Sequence, residues 1–282
     1  MRVFRHRTGG DLLSRAEPWL LATEAENNLI LGIAAAHHDV AKTKQGTCYW
    51  ATIEKGGAIV GCAFRTPPHH LSLTVMPSEA VVLLAREVHG VYGQHISGVA
   101  GPVQEASQFV KSWQALTGDV GHVHIELRVH KLTEVQVPSE KPEGTLRQSI
   151  PEEIDLITDW LTGFVSETGM PRQPQELAQR MQASGGVYVW DDGSPRCMVA
   201  AARETPRGAC INAVYTPTVN RGRGYASAAV AALSQELLLQ GKHFCCLYTD
   251  VANPTTNSIY RKVGFIPIRD EVHIDFVRPA TG

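Results

Sequence analysis

The chain has 282 residues and six cysteines (Cys48, Cys62, Cys197, Cys210, Cys245, Cys246), and no two of them stand in C-x-x-C spacing. That removes the zinc-ribbon and thioredoxin-type readings. No apolar run approaches the ~20 residues of a membrane span, so no membrane partner is expected. Lys and Arg number 26 against 28 Asp and Glu, for a net charge of −2. A chain so balanced lacks the basic footprint of a nucleic-acid binder. There is no G-x-x-x-x-G-K-[ST] phosphate loop and no G-x-S-x-G nucleophile elbow. His37-His38, His69-His70 and His122/His124 have no Cys or carboxylate partner at metal-site spacing, so no metal is expected. The start is basic (Met1 to Arg7), but no apolar segment with a small-residue cleavage site follows, so a secretory leader is not expected. Most cysteines lie in strand-like runs, where a free thiol behaves as a small hydrophobe. The setting reads as reducing and cytoplasmic.

What is present is material for about two domains, with 43% hydrophobic residues. A polar, proline-bearing linker over Val137–Gly144 divides the chain near residue 140, giving domains 1–140 and 141–282. After it the pattern predicts a strand over Thr145–Ile150. A helix opening at Pro151 carries Ile154, Ile157, Trp160, Leu161 and Phe164 at helical spacing. A second helix is predicted near Pro174–Ala183, then strands over Gly186–Trp190, Arg196–Arg203 and Ala209–Tyr215. A helix over Tyr225–Leu239, a strand over Lys242–Thr249, a helix over Asn253–Lys262 and closing strands over Phe265–Pro267 and Val272–Val277 complete the half. In the first half the pattern predicts a hairpin (Cys48–Lys55, Ala58–Arg65) and a strand at Leu71–Val75. A helix at Ser78–Val88, a strand at His95–Val99, a helix at Val103–Leu116 and a long strand at Val123–Leu132 follow. The repeated order implies an internal duplication.

Arg221-Gly222-Arg223-Gly224-Tyr225-Ala226 falls between a strand and a helix. Successive backbone N–H groups there can converge on one anion, and Gly222 and Gly224 leave no Cβ in the way. The following helix adds its positive dipole end, so a pyrophosphate suits the site. The competing reading is a plain Gly- and Arg-rich surface turn. The single G-x-G lacks the third glycine of a dinucleotide fold.

Thirty residues on, Asn253 is placed to cap a helix that begins at Pro254 and ends at Gly264. Ile259 and Val263 should face the core, while Asn253, Asn257 and Tyr260 form a second stripe. That stripe either faces a cleft shared with the glycine loop or serves only to cap and pack.

The strand–Pro–RxxGxA–helix unit and the N-x-x-x-N-x-x-Y-x-K-x-G-F run together resemble the GNAT superfamily of N-acetyltransferases over roughly 145–282. The first half resembles a degenerate copy, with Val75-Met76-Pro77-Ser78-Glu79 in place of the glycine loop. The resemblance implies an α/β (α+β) fold: two tandem GNAT-like domains, each a mixed, mostly antiparallel sheet flanked by helices. It implies acetyl-CoA as co-substrate without a metal. Main-chain groups of Val214, Tyr215 and Thr216 would pair with the pantetheine arm. Arg221, Gly222, Arg223, Gly224, Tyr225, Ala226 and Ser227 would cradle the pyrophosphate, and Asn253 and Asn257 would meet the arm. Tyr260 would be the general acid that protonates the departing thiolate, a small mismatch between a phenol near 10 and a thiol near 8.5. An N–H near Val214 would steady the oxyanion formed when an amine attacks. The acceptor would be a small-molecule or peptide amine and the protein a monomer or homodimer. The strand before the Asn/Tyr helix has Tyr248 where some members carry a Glu base. Glu167, Glu204, Asp250 or a water remain for that role. The competing class is a non-catalytic acyl-CoA-binding or interaction module.

Overall fold

The computed structural model describes residues 1–39, 48–136, 142–169 and 173–279. Residues 137–141 of the expected linker lie outside them. The chain forms two compact units: residues 1–129, 250–252 and 268–282, and residues 130–249 with 253–267.

The first unit contains β1 (Arg2–His6), α1 (Gly9–Leu21), α2 (Asn28–Ala36), β2 (Tyr49–Lys55), β3 (Ala58–Arg65) and β4 (Leu71–Leu73). These are followed by α3 (Ser78–Tyr92), β5 (Gly98–Pro102), α4 (Val103–Thr117) and β6 (Val120–Leu132), the last up to residue 129. Side chains alternate across the strands, as the two-residue period requires. Tyr49, Ala51 and Ile53 join the core under α3 and α4. Trp50, Cys62 and Phe64 join a second core under α1 and α2. The strand order is β1-β2-β3-β4-β5-β12-β6. The chain's last strand, β12 (Ile266–Val277), thus enters this sheet from Ile268 onward. It pairs antiparallel with β5 from Glu271↔Pro102 to Asp275↔Gly98, and it buries Val272 and Ile274 in the α3/α4 core.

The second unit contains β7 (Thr145–Gln148), a 3-10 turn at Pro151–Glu153, α5 (Ile154–Thr168), α6 (Pro174–Ala183), β8 (Val187–Asp191), β9 (Pro195–Glu204) and β10 (Gly208–Tyr215). Then come α7 (Tyr225–Leu239), β11 (Phe244–Asp250) and α8 (Pro254–Val263). The sheet order is β11-β10-β9-β8-β7. One core lies between this sheet and α7 and α8, with Trp190, Cys197, Ile211, Cys245 and Leu247 on the sheet side. The other lies under α5 and α6, with Val189, Met198, Ala200 and Ala213.

Along the sequence the order β-α-α-β-β-β-α-β-α-β occurs twice, which is the expected duplication. Four details differ from the sequence reading. The units do not follow a single cut near 140, because β12 completes the first unit's sheet. The two closing strands are one continuous strand. β5 begins at Gly98, three residues after the expected start, and keeps Gly101 and Pro102 as strand residues. Before Cys48 no element was expected, yet β1, α1 and α2 lie there.

Candidate functional site

The site of the second unit starts from a separation of strands. β10 and β11 run parallel, but their register covers Gly208↔Phe244, Ala209↔Cys245 and Cys210↔Cys246 and stops. β10 continues beside β9 as far as Tyr215↔Met198, with register shifts after Cys210 and after Asn212. Ala213 sits at φ +48, a left-handed conformation rare outside glycine. Its N–H is taken by the Asn212 side chain, Oδ1 accepting at 2.7 Å. Such a bulge bends the strand and frees main-chain groups along one edge. Val214, Tyr215 and Thr216 lie on this stretch, where an amide-bearing arm can be received as an added strand.

The loop ahead of α7 turns on two glycines and leaves the helix start uncapped. Gly222 at φ +75 and Gly224 at φ +80 both require glycine. A Cβ at Gly222 would meet open space, and at Gly224 its nearest neighbour would be Pro142 at 3.7 Å. The glycines therefore serve backbone shape rather than packing. Gly224 is the N-cap of α7, and no side chain caps that helix. The first intrahelical bond runs from Ala228 N–H to the Gly224 carbonyl at 3.0 Å. The N–H groups of Tyr225, Ala226 and Ser227 thus precede the helical ladder and carry its positive dipole end. α1 and α8 are instead capped by Thr8 and Asn253.

Side chains brace this loop. Arg221 donates to the Thr216 carbonyl at 2.8 Å and to Glu167 on α5 at 2.5 Å. Its guanidinium lies over the Tyr215 ring, 5.7 Å from the centroid. The Tyr215 hydroxyl rests where a Cβ on Gly163 would be, 2.2 Å from that position, so α5 needs glycine there. Tyr225 is buried and donates to Asp192 at 2.8 Å. Arg223 is exposed.

α8 carries the remaining expected residues. Asn253 accepts from Thr256 N–H at 3.1 Å and so caps the helix. Asn257 accepts from the Thr249 hydroxyl at 2.7 Å and donates to the Asn253 carbonyl at 2.8 Å. It ties the helix to the end of β11. Tyr260 is only 5% exposed and lies in the α7/α8 core with Val263 and Phe265, its ring edge-on to Phe265 at 6.0 Å. It therefore shares the apolar face instead of a stripe with the two asparagines. Burial pushes the phenol well above its ordinary value and keeps it protonated at neutral pH.

The three carboxylates considered as bases all have other partners. Glu167 holds Arg221. Glu204 receives Lys242 at 2.7 Å, near the start of β10 and away from the bulge. Asp250 accepts from Ala252 N–H at 2.8 Å. The sequence reading missed Gly163, Asp192 and Thr249. Gly163, inside an otherwise helical pattern, was the one readable signal.

A family model described as FR47-like protein matches residues 193–274, which spans the bulge, the cradle and α8. The fold is also that of solved proteins along its whole length. An acetyltransferase of the GNAT family from Colwellia psychrerythraea matches with TM-score 0.61 at 13% identity, covering 98% of this chain and 100% of that one. A tandem GNAT protein from the clavulanic acid biosynthesis pathway matches with TM-score 0.58 at 12% identity, over 100% and 99%. A GCN5-related N-acetyltransferase from Sphaerobacter thermophilus matches with TM-score 0.58 at 16% identity, over 99% and 97%. This is a tandem GNAT fold. No curated protein matches by sequence. Among the described residues no cluster of three His, Cys, Asp or Glu side chains could hold a metal, and no helix is long and apolar enough to cross a membrane.

Proposed function

We propose that the second unit binds acetyl-CoA and transfers its acetyl group to an amine. The observation that carries this reading is the pairing of a bulged, partly released β10 with an uncapped α7 behind two left-handed glycines. The first offers main-chain groups to a pantetheine arm. The second offers N–H groups and a dipole to a pyrophosphate. Both belong to one stretch, Ile211–Ser227, in the segment that the family model spans.

In this reading Val214 N–H donates to the carbonyl oxygen as negative charge gathers on it, a contribution of roughly 3 kcal/mol in comparable sites. Tyr260, protonated by virtue of its burial, delivers its proton to the leaving sulfur. The same burial makes it a weaker acid than a free phenol, so the proton moves as sulfur takes up charge and not before. Arg221 and Glu167 hold the cradle in shape. The partners already engaging Glu167, Glu204 and Asp250 leave proton removal from the amine to water in the cleft.

Calorimetry with acetyl-CoA is the first test, with binding expected in the micromolar range or somewhat weaker. No heat at millimolar ligand would end the reading. A thiol reagent then reports CoA release in the presence of an amine library. Release that needs an amine marks the transferase, and binding without release marks the rival, a non-catalytic acyl-CoA module.

A further inference from the structure

Cys210 and Cys246 are register partners on β10 and β11, at the last paired rung before the strands separate. Partners in a parallel pair point to the same side of the sheet. Cys210 and Cys246 are 2% and 1% exposed, and the Cys210 thiol donates to the Ile211 carbonyl at 3.7 Å. Arg203, on the neighbouring β9, donates through Nη2 to Cys210 Sγ at 3.1 Å. Cys245 points to the other side, its thiol donating to the Ser234 carbonyl at 3.8 Å.

We propose that Cys210 and Cys246 form a reversible disulfide site, closed by small peroxides, which fastens β10 to β11 where the cleft begins. Neighbouring strands stand ~4.8 Å apart, inside the Cα range of about 4.4–6.8 Å that a disulfide spans. The Cβ atoms of adjacent strand partners must draw together to bond, which makes such a bridge easy to reduce. The compactness of the product favours a disulfide over its rivals. An acyl group or a metal needs room that two enclosed thiols lack, whereas a disulfide removes only two hydrogens. The pair is also asymmetric. The neighbouring Cys246 thiol and the Arg203 guanidinium at 3.1 Å lower the Cys210 thiol, while the same neighbour and burial raise Cys246. One sulfur is thereby the attacking thiolate and the other the resolving thiol.

The Cys210 thiolate attacks one peroxide oxygen, the O–O bond breaks, and a sulfenic acid forms as hydroxide leaves. Cys246 sulfur then attacks the sulfenic sulfur, the S–S bond forms and a second hydroxide leaves. The two thiol protons complete two waters. Sulfur is oxidised and peroxide reduced, two electrons each.

The test exposes the full-length protein to hydrogen peroxide, blocks remaining thiols by alkylation in denaturant, and maps peptides without reductant. The expected product is a 210–246 cross-linked peptide lighter by two hydrogens and abolished by dithiothreitol. Arg203→Gln should slow its formation roughly tenfold, and Arg203→Lys should restore most of the rate. Hydrogen exchange at Ile211–Tyr215 should fall on oxidation. Recovery of both cysteines in alkylated form, at peroxide levels that leave the circular dichroism intact, would overturn the proposal. So would a cross-link through Cys245, or irreversible oxidation of Cys210 without a cross-link.

Discussion

Arg221 Nη2 and Glu167 Oε1 stand 2.5 Å apart, and this contact joins the loop ahead of α7 to the last turn of α5. Glu167 near a helix C-terminus is unfavourably placed for the dipole, so the guanidinium offsets that as well. Both groups are about half exposed, and the pair adds little to global stability, roughly 0.5 kcal/mol. Its value is in shape. Glu167→Gln should therefore weaken acetyl-CoA binding about threefold to tenfold by calorimetry, with the melting temperature almost unchanged. If Arg221 acted instead by attracting phosphate, freeing it from Glu167 would strengthen binding. An increase in affinity would exclude the bracing role.

Tyr260→Phe removes one buried hydroxyl and keeps the edge-on contact with Phe265. The fold and acetyl-CoA affinity should stay within about twofold, while turnover falls by roughly 10²-fold or more. The rate above neutral pH is informative too. Burial raises this phenol, so the wild-type rate should show no loss from Tyr260 ionisation up to about pH 10, the ordinary phenol value. An unchanged rate in the variant removes Tyr260 from the mechanism.

The legible parts of the fold were those where period and turn chemistry agree. The glycine loop, the Asn253-Pro254 start and the hairpin at Gly56-Gly57 all fall where expected. The elements within residues 1–39 were hidden for local reasons. α1 opens with Gly9-Gly10 and contains Pro18, all three normally breakers. Gly9 is needed because a Cβ there would strike the Ala34 backbone of α2 at 2.2 Å. α2 is a nearly continuous apolar run, which carries no helical period. In β12, Arg269-Asp270-Glu271 read as a loop. In the fold Arg269 is bonded to Glu271 and to Glu26, so polar residues sit inside a strand with partners. The role of β12 as a strand of the first unit is a long-range pairing that no local pattern encodes.

That pairing makes a prediction about stability. Ile274 is 6% exposed in the α3/α4 core, although β1 of the same sheet, Arg2–His6, lies in a distant part of the sequence. Ile274→Ala should cost about 2–4 kcal/mol. Hydrogen exchange should show the loss in β5, its direct neighbour, with β8 and β9 largely protected as before. Uniform loss across both units would show that the two unfold as one.

Acid should weaken the first unit through its histidines. His70 bonds to Asp275 at 2.9 Å, with His124 on the other carboxylate oxygen at 3.2 Å. Burial, then the charges of His70 and His124, push His273 down to about 4, and burial also lowers His70. A histidine whose folded pKa lies below its unfolded 6.5 is protonated first in the unfolded chain. Its stabilisation is whole above pH 6.5 and is lost as pH falls towards 4. His273 can account for at most about 3 kcal/mol of that loss. Urea midpoints measured from pH 7.5 to 4.5 should fall, and His273→Asn should flatten the slope. A slope untouched by the substitution would assign the acid sensitivity elsewhere.

The first unit repeats the short parallel strand pair but not the glycine loop, which bears on stoichiometry. β4 and β5 also pair in parallel over two rungs, Leu71↔Val99 and Ser72↔Ala100. The connection to α3 then runs through Thr74-Val75-Met76-Pro77 without a glycine. Met76 N–H donates to the buried Glu105 carboxylate at 3.3 Å. The Met76 side chain packs against Gly61, where a Cβ would meet it at 2.6 Å. A carboxylate and a thioether thus take up what the second unit leaves open, and a phosphate brought there would face a like charge. Calorimetry should give one acetyl-CoA per chain. Glu105→Gln should not create a second site, because Met76 and Pro77 still shape the turn. Gly224→Val, which forces a β-branched residue to φ +80, should abolish the single site. Two equivalent sites in the wild type, or binding that survives Gly224→Val, would move the cofactor away from α7 and dissolve the assignment of the second unit as the acetyl-CoA half.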